Sequence, residues 1–224
     1  MKEMTLILFF AVISSGVLDE ARDKQDAAAL AAQLTKLNAA VAKSPSDPKA
    51  NYELALARSF EAEVFMEKGD KKASAGAAEA GIDAAKKAVS GQDGNSEYHR
   101  LLGTLCGQVI PANVMLGLKY GRCAMDEVAK AIELNPKSAD NWLARGVGNY
   151  YLPPQFGGGL DKSIEDFDKA IQLNSKLAEA YLWKGIALRK SGKNVEARQA
   201  LSKSLELNPK RIWAKTQLEK TPEK

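Results

Sequence analysis

Few side chains of this 224-residue chain have the chemistry that catalysis or metal binding requires. It contains one histidine, His99, and two cysteines, Cys106 and Cys123. Zinc sites need clusters of His and Cys at short spacings, and many serine hydrolases carry the nucleophile in Gly-x-Ser-x-Gly. Neither pattern occurs, and no glycine-rich loop follows a strand-like run. The sequence therefore predicts no metal site, no cofactor and no enzyme.

Paired carboxylates are the remaining candidates for acid–base chemistry. Glu165-Asp166 and Glu61/Glu63 lie on predicted helices whose other charged residues face solvent, so we interpret both pairs as surface charge.

The net charge of +4 is small, and Lys and Arg are interspersed with acidic residues. Nucleic-acid binding needs a concentrated basic face, which the sequence lacks.

The elements that must position any site are helical repeats. The segment 178–209 carries small residues at Gly185, Ala187, Ala197 and Ala200, with Tyr181 before them and Pro209 at the end. This spacing resembles the tetratricopeptide repeat, a 34-residue pair of antiparallel helices. Lys184 and Ser204 depart from that family's usual residues. In this register His99 falls in a bulky core position, which favours a packed side chain over a base.

Weaker copies of the same pattern occur upstream. Equivalent end positions at Pro45, Asp93, Pro136, Ser175 and Pro209 are 48, 43, 39 and 34 residues apart, so the early hairpins are longer. The resulting division is a half repeat at 20–45, repeats at 48–93, 96–136, 139–175 and 178–209, and a closing helix at 210–221, within one solenoid over 20–221. Helices are predicted at Pro48–Glu67 and Lys71–Val89, and Pro111 is predicted to open a helix ending near Leu134.

The resemblance implies an all-α fold, a right-handed superhelix of antiparallel helix pairs. Composition agrees, since 45% of residues are hydrophobic but only 7% are aromatic. Small residues such as Gly146 and Gly185 let paired helices approach closely. No pair buries its apolar stripe alone, so stability must come from stacking.

The N-terminus has a different character. Thr5 to Ile13 is an apolar run too short to span a bilayer, preceded by Lys2 and followed by Ser14-Ser15-Gly16. We expect residues 1–16 to be a signal peptide and the mature chain to be periplasmic or secreted, without stable membrane insertion. The alternative is membrane attachment through an uncleaved N-terminus.

The cysteines offer two alternatives. An even count in an exported chain permits a disulfide. A turn at Pro111 would place Cys106 five residues before it and Cys123 twelve after, about two helical turns out of step. We therefore expect both to be unbonded core residues.

The family resemblance also implies a binding surface. In tetratricopeptide repeats the first helix of each pair lines a concave groove that holds peptides or helices of other proteins. The matching positions predict a groove formed by Tyr52, Leu56, Arg100, Leu143, Val147, Tyr150, Tyr151, Leu182, Ile186, Arg189 and Trp213. The predicted function is a non-catalytic interaction scaffold with a protein or peptide partner.

The loop at 152–159, Leu-Pro-Pro-Gln-Phe-Gly-Gly-Gly, suggests an alternative. Together with the long early hairpins it is similar to two divergent tetratricopeptide groups, a periplasmic component of tripartite solute transporters and the regulator of microtubule dynamics family. The alternative function is a small-ligand or lipid-binding accessory of an envelope transport system. We expect Phe156 to be tucked between repeats.

Overall fold

The computed structural model of the protein describes residues 16–113 and 115–224, so the predicted signal peptide lies outside the described residues except for Gly16. Residues 16–23 form a short helical segment. The helices that follow are α1 (Ala27–Lys43), α2 (Pro48–Glu67), α3 (Lys71–Gly91), α4 (Ser96–Val109), α5 (Leu116–Leu134), α6 (Ala139–Tyr151), α7 (Leu160–Leu173), α8 (Ala178–Lys190), α9 (Asn194–Leu207) and α10 (Ile212–Glu219). Short 3₁₀ turns occur at Ile110–Ala112 and Pro154–Phe156.

Polar side chains mark where several helices begin. The carboxylates of Asp26, Asp47 and Asp70 accept hydrogen bonds from the first-turn amides of α1, α2 and α3. The side chain of Asn95 does the same for α4. These caps satisfy amides that have no partner inside the helix, so the sequence itself sets these helix starts.

The helices pack as antiparallel pairs, α2 with α3, α4 with α5, α6 with α7 and α8 with α9, and neighbouring pairs stack. A Cβ atom added at Gly146 would lie 2.5 Å from the ring of Phe167, and one at Gly185 would lie 2.5 Å from Leu201 Cγ. The close approach predicted at these glycines is therefore present. The expected all-helical solenoid is confirmed.

The first long hairpin is present, with its second helix continuing to Gly91. The prediction that Pro111 opens the second helix of the next pair is wrong. Pro111 lies inside the 3₁₀ turn Ile110–Ala112, and α5 begins only at Leu116. The insertion in this repeat is thus partly a turn.

This difference explains a second error, because Cys106 and Cys123 form a disulfide with their Cα atoms 6.0 Å apart. The 3₁₀ turn extends the first arm of the hairpin to Ala112, six residues beyond Cys106. Cys123 lies seven residues beyond the start of α5 at Leu116. The two cysteines are therefore level across the helix pair, within the span that a disulfide can bridge.

Phe156 is also placed differently from the expectation. Its side chain is 68% exposed at the tip of the loop between α6 and α7. Gly157 adopts a φ of +92°, and the buried Gly158 lies against the backbone of Leu152. The backbone of the loop is buried at Gly158, whereas the Phe156 side chain lies on the solvent side of the loop.

Arg211, in the turn between α9 and α10, connects the end of the solenoid to its beginning. Its side chain is fully buried. The guanidinium donates to Glu63 Oε1 at 2.6 Å, to both carboxylate oxygens of Glu67, and to Glu179 Oε1 at 2.8 Å. Because Glu63 and Glu67 belong to α2 and Glu179 to α8, one side chain links three distant parts of the chain.

The short helical segment 16–23 completes this contact. Its Asp23 carboxylate lies 3.7 Å from Arg211 Nε and accepts a hydrogen bond from the Asn208 amide at 2.7 Å. Arg22 lies 3.7 Å from Glu179 and stacks over the Phe60 ring at 4.8 Å. The first and last turns of the solenoid are therefore in contact with each other.

Two carboxylates predicted as surface charge are therefore structural. Glu63 belongs to the Arg211 contact, and burial raises its pKa to about 7 against the opposing effect of Arg211 and Arg22. Asp166 is only 3% exposed and accepts hydrogen bonds from Arg145 and Asn149. Both were misassigned because their partners come from other helices.

The close helix packing can be tested with two glycines of α6. Gly146→Ala should destabilise the fold by about 1–3 kcal/mol, because the new methyl group overlaps Phe167. Gly148→Ala meets no atom within 4 Å and should be neutral or stabilising by up to about 1 kcal/mol. Urea denaturation of both variants measures the difference. Equal midpoints would contradict the assigned packing.

The disulfide should stabilise the protein by about 3 kcal/mol, the usual contribution for a closed loop of this length. Denaturation of the wild type with and without reductant measures it while keeping every side chain unchanged. Two titratable thiols in the denatured, unreduced protein would show that the bond is not formed.

Arg211→Met should cost about 3–5 kcal/mol at pH 8, because it removes the cation that is hydrogen-bonded to the buried carboxylates of Glu63 and Glu67. Lys210→Met is the matched control, since Lys210 is exposed and its 3.6 Å contact with Glu20 is a surface pair worth at most about 1 kcal/mol.

The loss should shrink as the pH is lowered. Burial raises the pKa of Glu63 to about 7 and also raises that of Glu67, while Arg211 lowers both. Removing Arg211 should therefore raise both pKa values further, so that protonation favours the folded variant as the pH falls. Denaturation of Arg211→Met at pH 8 and pH 5.5 checks this. A loss that is independent of pH would contradict the role assigned to these carboxylates.

Candidate functional site

The candidate site is the surface formed by the first helices of the pairs, α2, α4, α6 and α8, called here the concave surface. Hydrogen bonds join neighbouring members of this row. Tyr52 of α2 donates to Glu97 of α4 at 2.9 Å, and Ser59 donates to Gln108 at 3.1 Å. These bonds hold the first two helices of the row in register.

Three of the predicted groove residues are occupied by internal contacts. Leu182 and Ile186 are 0% and 5% exposed and pack against Leu201 and Ala214. Arg100 is bound by Glu97 through two hydrogen bonds. These three side chains stabilise the solenoid and present little surface to a partner.

Two further predicted groove residues, Tyr52 and Arg189, hold neighbouring helices together. Tyr52 stacks on Tyr98 with ring centroids 5.0 Å apart, and burial together with Glu97 raises its pKa above the ordinary value. Arg189 donates to the side chain and backbone carbonyls of Gln217, so it holds α10 against α8. Leu56 of α2 is half-buried.

The remaining predicted residues other than Trp213 lie together on α6. Leu143, Val147, Tyr150 and Tyr151 are spaced at i, i+4, i+7 and i+8, which places them on one helix face. The first three are half-buried, and Tyr151 is 49% exposed. Most of the partly accessible apolar surface among the predicted groove residues is therefore contributed by this one helix.

An aromatic cluster continues from that face. Tyr150 and Tyr151 meet edge to face at 5.0 Å, and both contact Trp183, at 5.7 and 6.2 Å. Trp183 in turn contacts Trp213 at 5.2 Å. We call Tyr150, Tyr151, Trp183 and Trp213 the aromatic cluster.

Trp183 is the member that the sequence analysis missed. It falls one position after the predicted groove residue Leu182, outside the positions that the family resemblance marks. The sequence did hold a signal for Trp183, because aromatic residues are rare in this chain and each one is a candidate contact residue. Trp213, predicted as an exposed groove residue, is half-buried and packs against the core of α8 and α9.

Two cations border the aromatic cluster. Lys190 Nζ lies 4.3 Å from the ring centroid of Tyr150, and the Arg211 guanidinium carbon lies 5.6 Å from that of Trp213. Burial raises the pKa of the Tyr150 hydroxyl, so the ring remains neutral at physiological pH. Lys190 is exposed and adds positive charge beside the aromatic rings, whereas Arg211 is buried and paired with glutamates.

Residues capable of acid–base chemistry are placed elsewhere. His99 is 4% exposed, with Nδ1 2.6 Å from Glu127 Oε2 and Nε2 2.7 Å from the Asp93 carbonyl. It connects α4 to α5 and to the preceding turn. In residues 16–113 and 115–224, no group of His, Cys, Asp and Glu is arranged to hold a metal ion.

None of the helices in the described part of the chain combines the length and the apolar character needed to cross a membrane.

Comparison with known proteins identifies the repeat. Residues 178–211 match the family profile described as tetratricopeptide repeat. No curated protein sequence matches the chain.

Solved structures share the fold over most of the chain. The thermophilic tetratricopeptide repeat protein TTC0263 of Thermus thermophilus is 20% identical, with a TM-score of 0.65 over 86% of this chain and 90% of that one. The haemophore HusA of Porphyromonas gingivalis is 23% identical, with a TM-score of 0.60 over 93% and 96%. At these sequence identities the comparison shows a shared fold.

Residues 178–211 therefore form a tetratricopeptide repeat, and the antiparallel helix pairs around it share the solenoid fold of a solved tetratricopeptide repeat protein.

Proposed function

We propose that this protein is a non-catalytic scaffold that binds a peptide or helix of a protein partner on its concave surface. The observation that carries the proposal is Tyr151. It is a large aromatic side chain that remains 49% exposed although three other aromatic rings lie in one cluster with it.

Tyr151 is well suited to be a binding hot spot because its position is fixed before a partner arrives. The edge-to-face contacts with Tyr150 and Trp183 restrict its rotation. A preorganised side chain loses little conformational entropy on binding. Aromatic residues in such settings carry a large share of binding energy in protein interfaces.

The neighbouring surface suits an apolar helix or an extended peptide. Leu143 and Val147 continue the stripe from Tyr151 along α6, and both are half-buried. An amphipathic helix presents apolar residues at the same i, i+4 and i+7 spacing, so its stripe can lie along that of α6.

The chain itself binds a short helix at the start of this row. In segment 16–23, Leu18 is 1% exposed and Ala21 is 3% exposed, and Arg22 covers the Phe60 ring of α2. This internal contact supports the proposal, because it is a helix seated against a first helix of the solenoid.

The proposal includes export to the periplasm or cell exterior. The apolar N-terminal sequence supports it, and so does the disulfide, since such bonds persist mainly in oxidising compartments. Attachment through an uncleaved N-terminus is the alternative. The intact mass of the protein from its own cells distinguishes the two.

A second candidate is binding of a flat, anionic small molecule at the aromatic cluster. The rings of Tyr150 and Trp183 beside Lys190 favour it, since aromatic faces and a nearby cation suit such a ligand. The haemophore with a similar fold makes haem the natural probe.

The proposed function can be tested with Tyr151→Ala. Immobilised wild-type protein captures the partner from an envelope fraction of the source organism, and titration of that partner gives the affinity. Tyr151→Ala should weaken it by at least about 2 kcal/mol, which is about thirtyfold. Met125→Ala is the matched control, because Met125 is 54% exposed on α5, outside the first-helix row, and should leave binding unchanged.

Two results would decide against the scaffold. Normal binding by Tyr151→Ala, with its melting temperature unchanged, would place the partner elsewhere. A haem absorbance change on titration that Tyr151→Ala abolishes, without any captured polypeptide, would favour the second candidate.

A further inference from the structure

The turns inside the helix pairs lie on one edge of the solenoid. First helices of stacked pairs run in the same direction, so their C-terminal ends lie side by side. The contact of Lys190, the last residue of α8, with Tyr150 near the end of α6 shows this adjacency directly. We call the turns after α4, α6 and α8 (110–113 with 115, 152–159 and 191–193), with the residues beside them, the turn edge.

The turn edge carries the most exposed apolar side chains of the described residues. Leu118, Phe156 and Met115 are 82%, 68% and 62% exposed, the highest values among the large hydrophobic residues. Val195, at the start of α9, adds a fourth at 52%. Single exposed apolar residues are ordinary, but several on successive turns of one edge indicate a contact surface.

These side chains are presented by braced turns. The disulfide between Cys106 and Cys123 closes the segment that contains Met115 and Leu118. In the next turn Lys162 Nζ donates to the Gly157 carbonyl at 2.8 Å, which holds the loop around Phe156. The turns thus hold these apolar side chains in exposed positions, where their contact with water is unfavourable.

The charge around the tips is mainly positive. Lys119 follows Leu118, Lys162 lies beside the Phe156 loop, and Lys190 and Lys193 flank the last turn, whereas Asp161 and Glu196 are the acidic residues among these positions. Apolar side chains surrounded by lysines suit an anionic bilayer. The acyl region accepts the apolar side chains, and the negatively charged headgroups attract the lysines.

We propose that the turn edge docks the protein onto an anionic lipid surface, with Leu118, Phe156 and Met115 inserted and the lysines against the headgroups. Docking of this kind is peripheral and needs no spanning helix. It uses side chains other than those of the proposed scaffold site, and Tyr151 at the end of α6 adjoins the turn edge.

Vesicle flotation with the full chain tests the proposal. Wild-type protein should bind vesicles containing phosphatidylglycerol, bind pure phosphatidylcholine vesicles more weakly, and lose affinity as salt is raised. Leu118→Asp combined with Phe156→Asp should lower the binding by at least about tenfold, since two charges must then enter the apolar layer. Circular dichroism melts confirm that the variants remain folded.

Met125→Asp is the matched control. Met125 is also exposed and lies on α5, but two helical turns beyond Leu118, so this variant should bind vesicles like the wild type. Equal binding by the wild type and the double variant would overturn the proposal. Absence of vesicle binding, with a captured polypeptide lost in the double variant, would overturn it in favour of a protein contact.

Discussion

The buried guanidinium of Arg211 is the interaction on which the shape of this protein depends. A solenoid usually contacts only neighbouring repeats, so its curvature is set by small increments between them. Here Arg211 links the last turn to Glu63 and Glu67, 148 and 144 residues earlier. Contacts from Asp23 and Glu179 converge on the same group. The ends of the superhelix are thereby held together.

Such a contact specifies geometry more than it adds stability. Burial works against the charge of Arg211, and the surrounding carboxylates Glu179, Glu63 and Glu67 restore it, so that its pKa lies above the ordinary value. The desolvation of buried ions offsets much of their attraction, but a different curvature would separate Arg211 from these carboxylates and lose that attraction. The ion cluster therefore penalises alternative arrangements of the stacked pairs.

Closure also determines which side chains remain for binding. Leu182 and Ile186 are covered in the core beneath the last helices, and Arg189 is engaged with α10. Accessible apolar surface persists on α6 at Tyr151 and at the turn edge at Leu118, Phe156 and Met115.

Features that depend on local forces could be predicted from the sequence, whereas features that depend on long-range contacts could not. The repeat register, the close packing at Gly146 and Gly185, and the all-helical fold follow from local spacing and side-chain size. The pattern also pointed to α6, whose apolar face at Leu143, Val147 and Tyr151 can be recognised from helical periodicity.

Other features depend on residues far apart in the chain. The disulfide depended on where one turn begins, and the exposed position of Phe156 on how its loop turns. The buried roles of Glu63 and Asp166 depended on partners from other helices. The inclusion of Trp183 in the aromatic cluster required three separate helices to meet. Helical periodicity specifies which face of a helix is buried, but only the assembled stack specifies which charged or aromatic group it meets there.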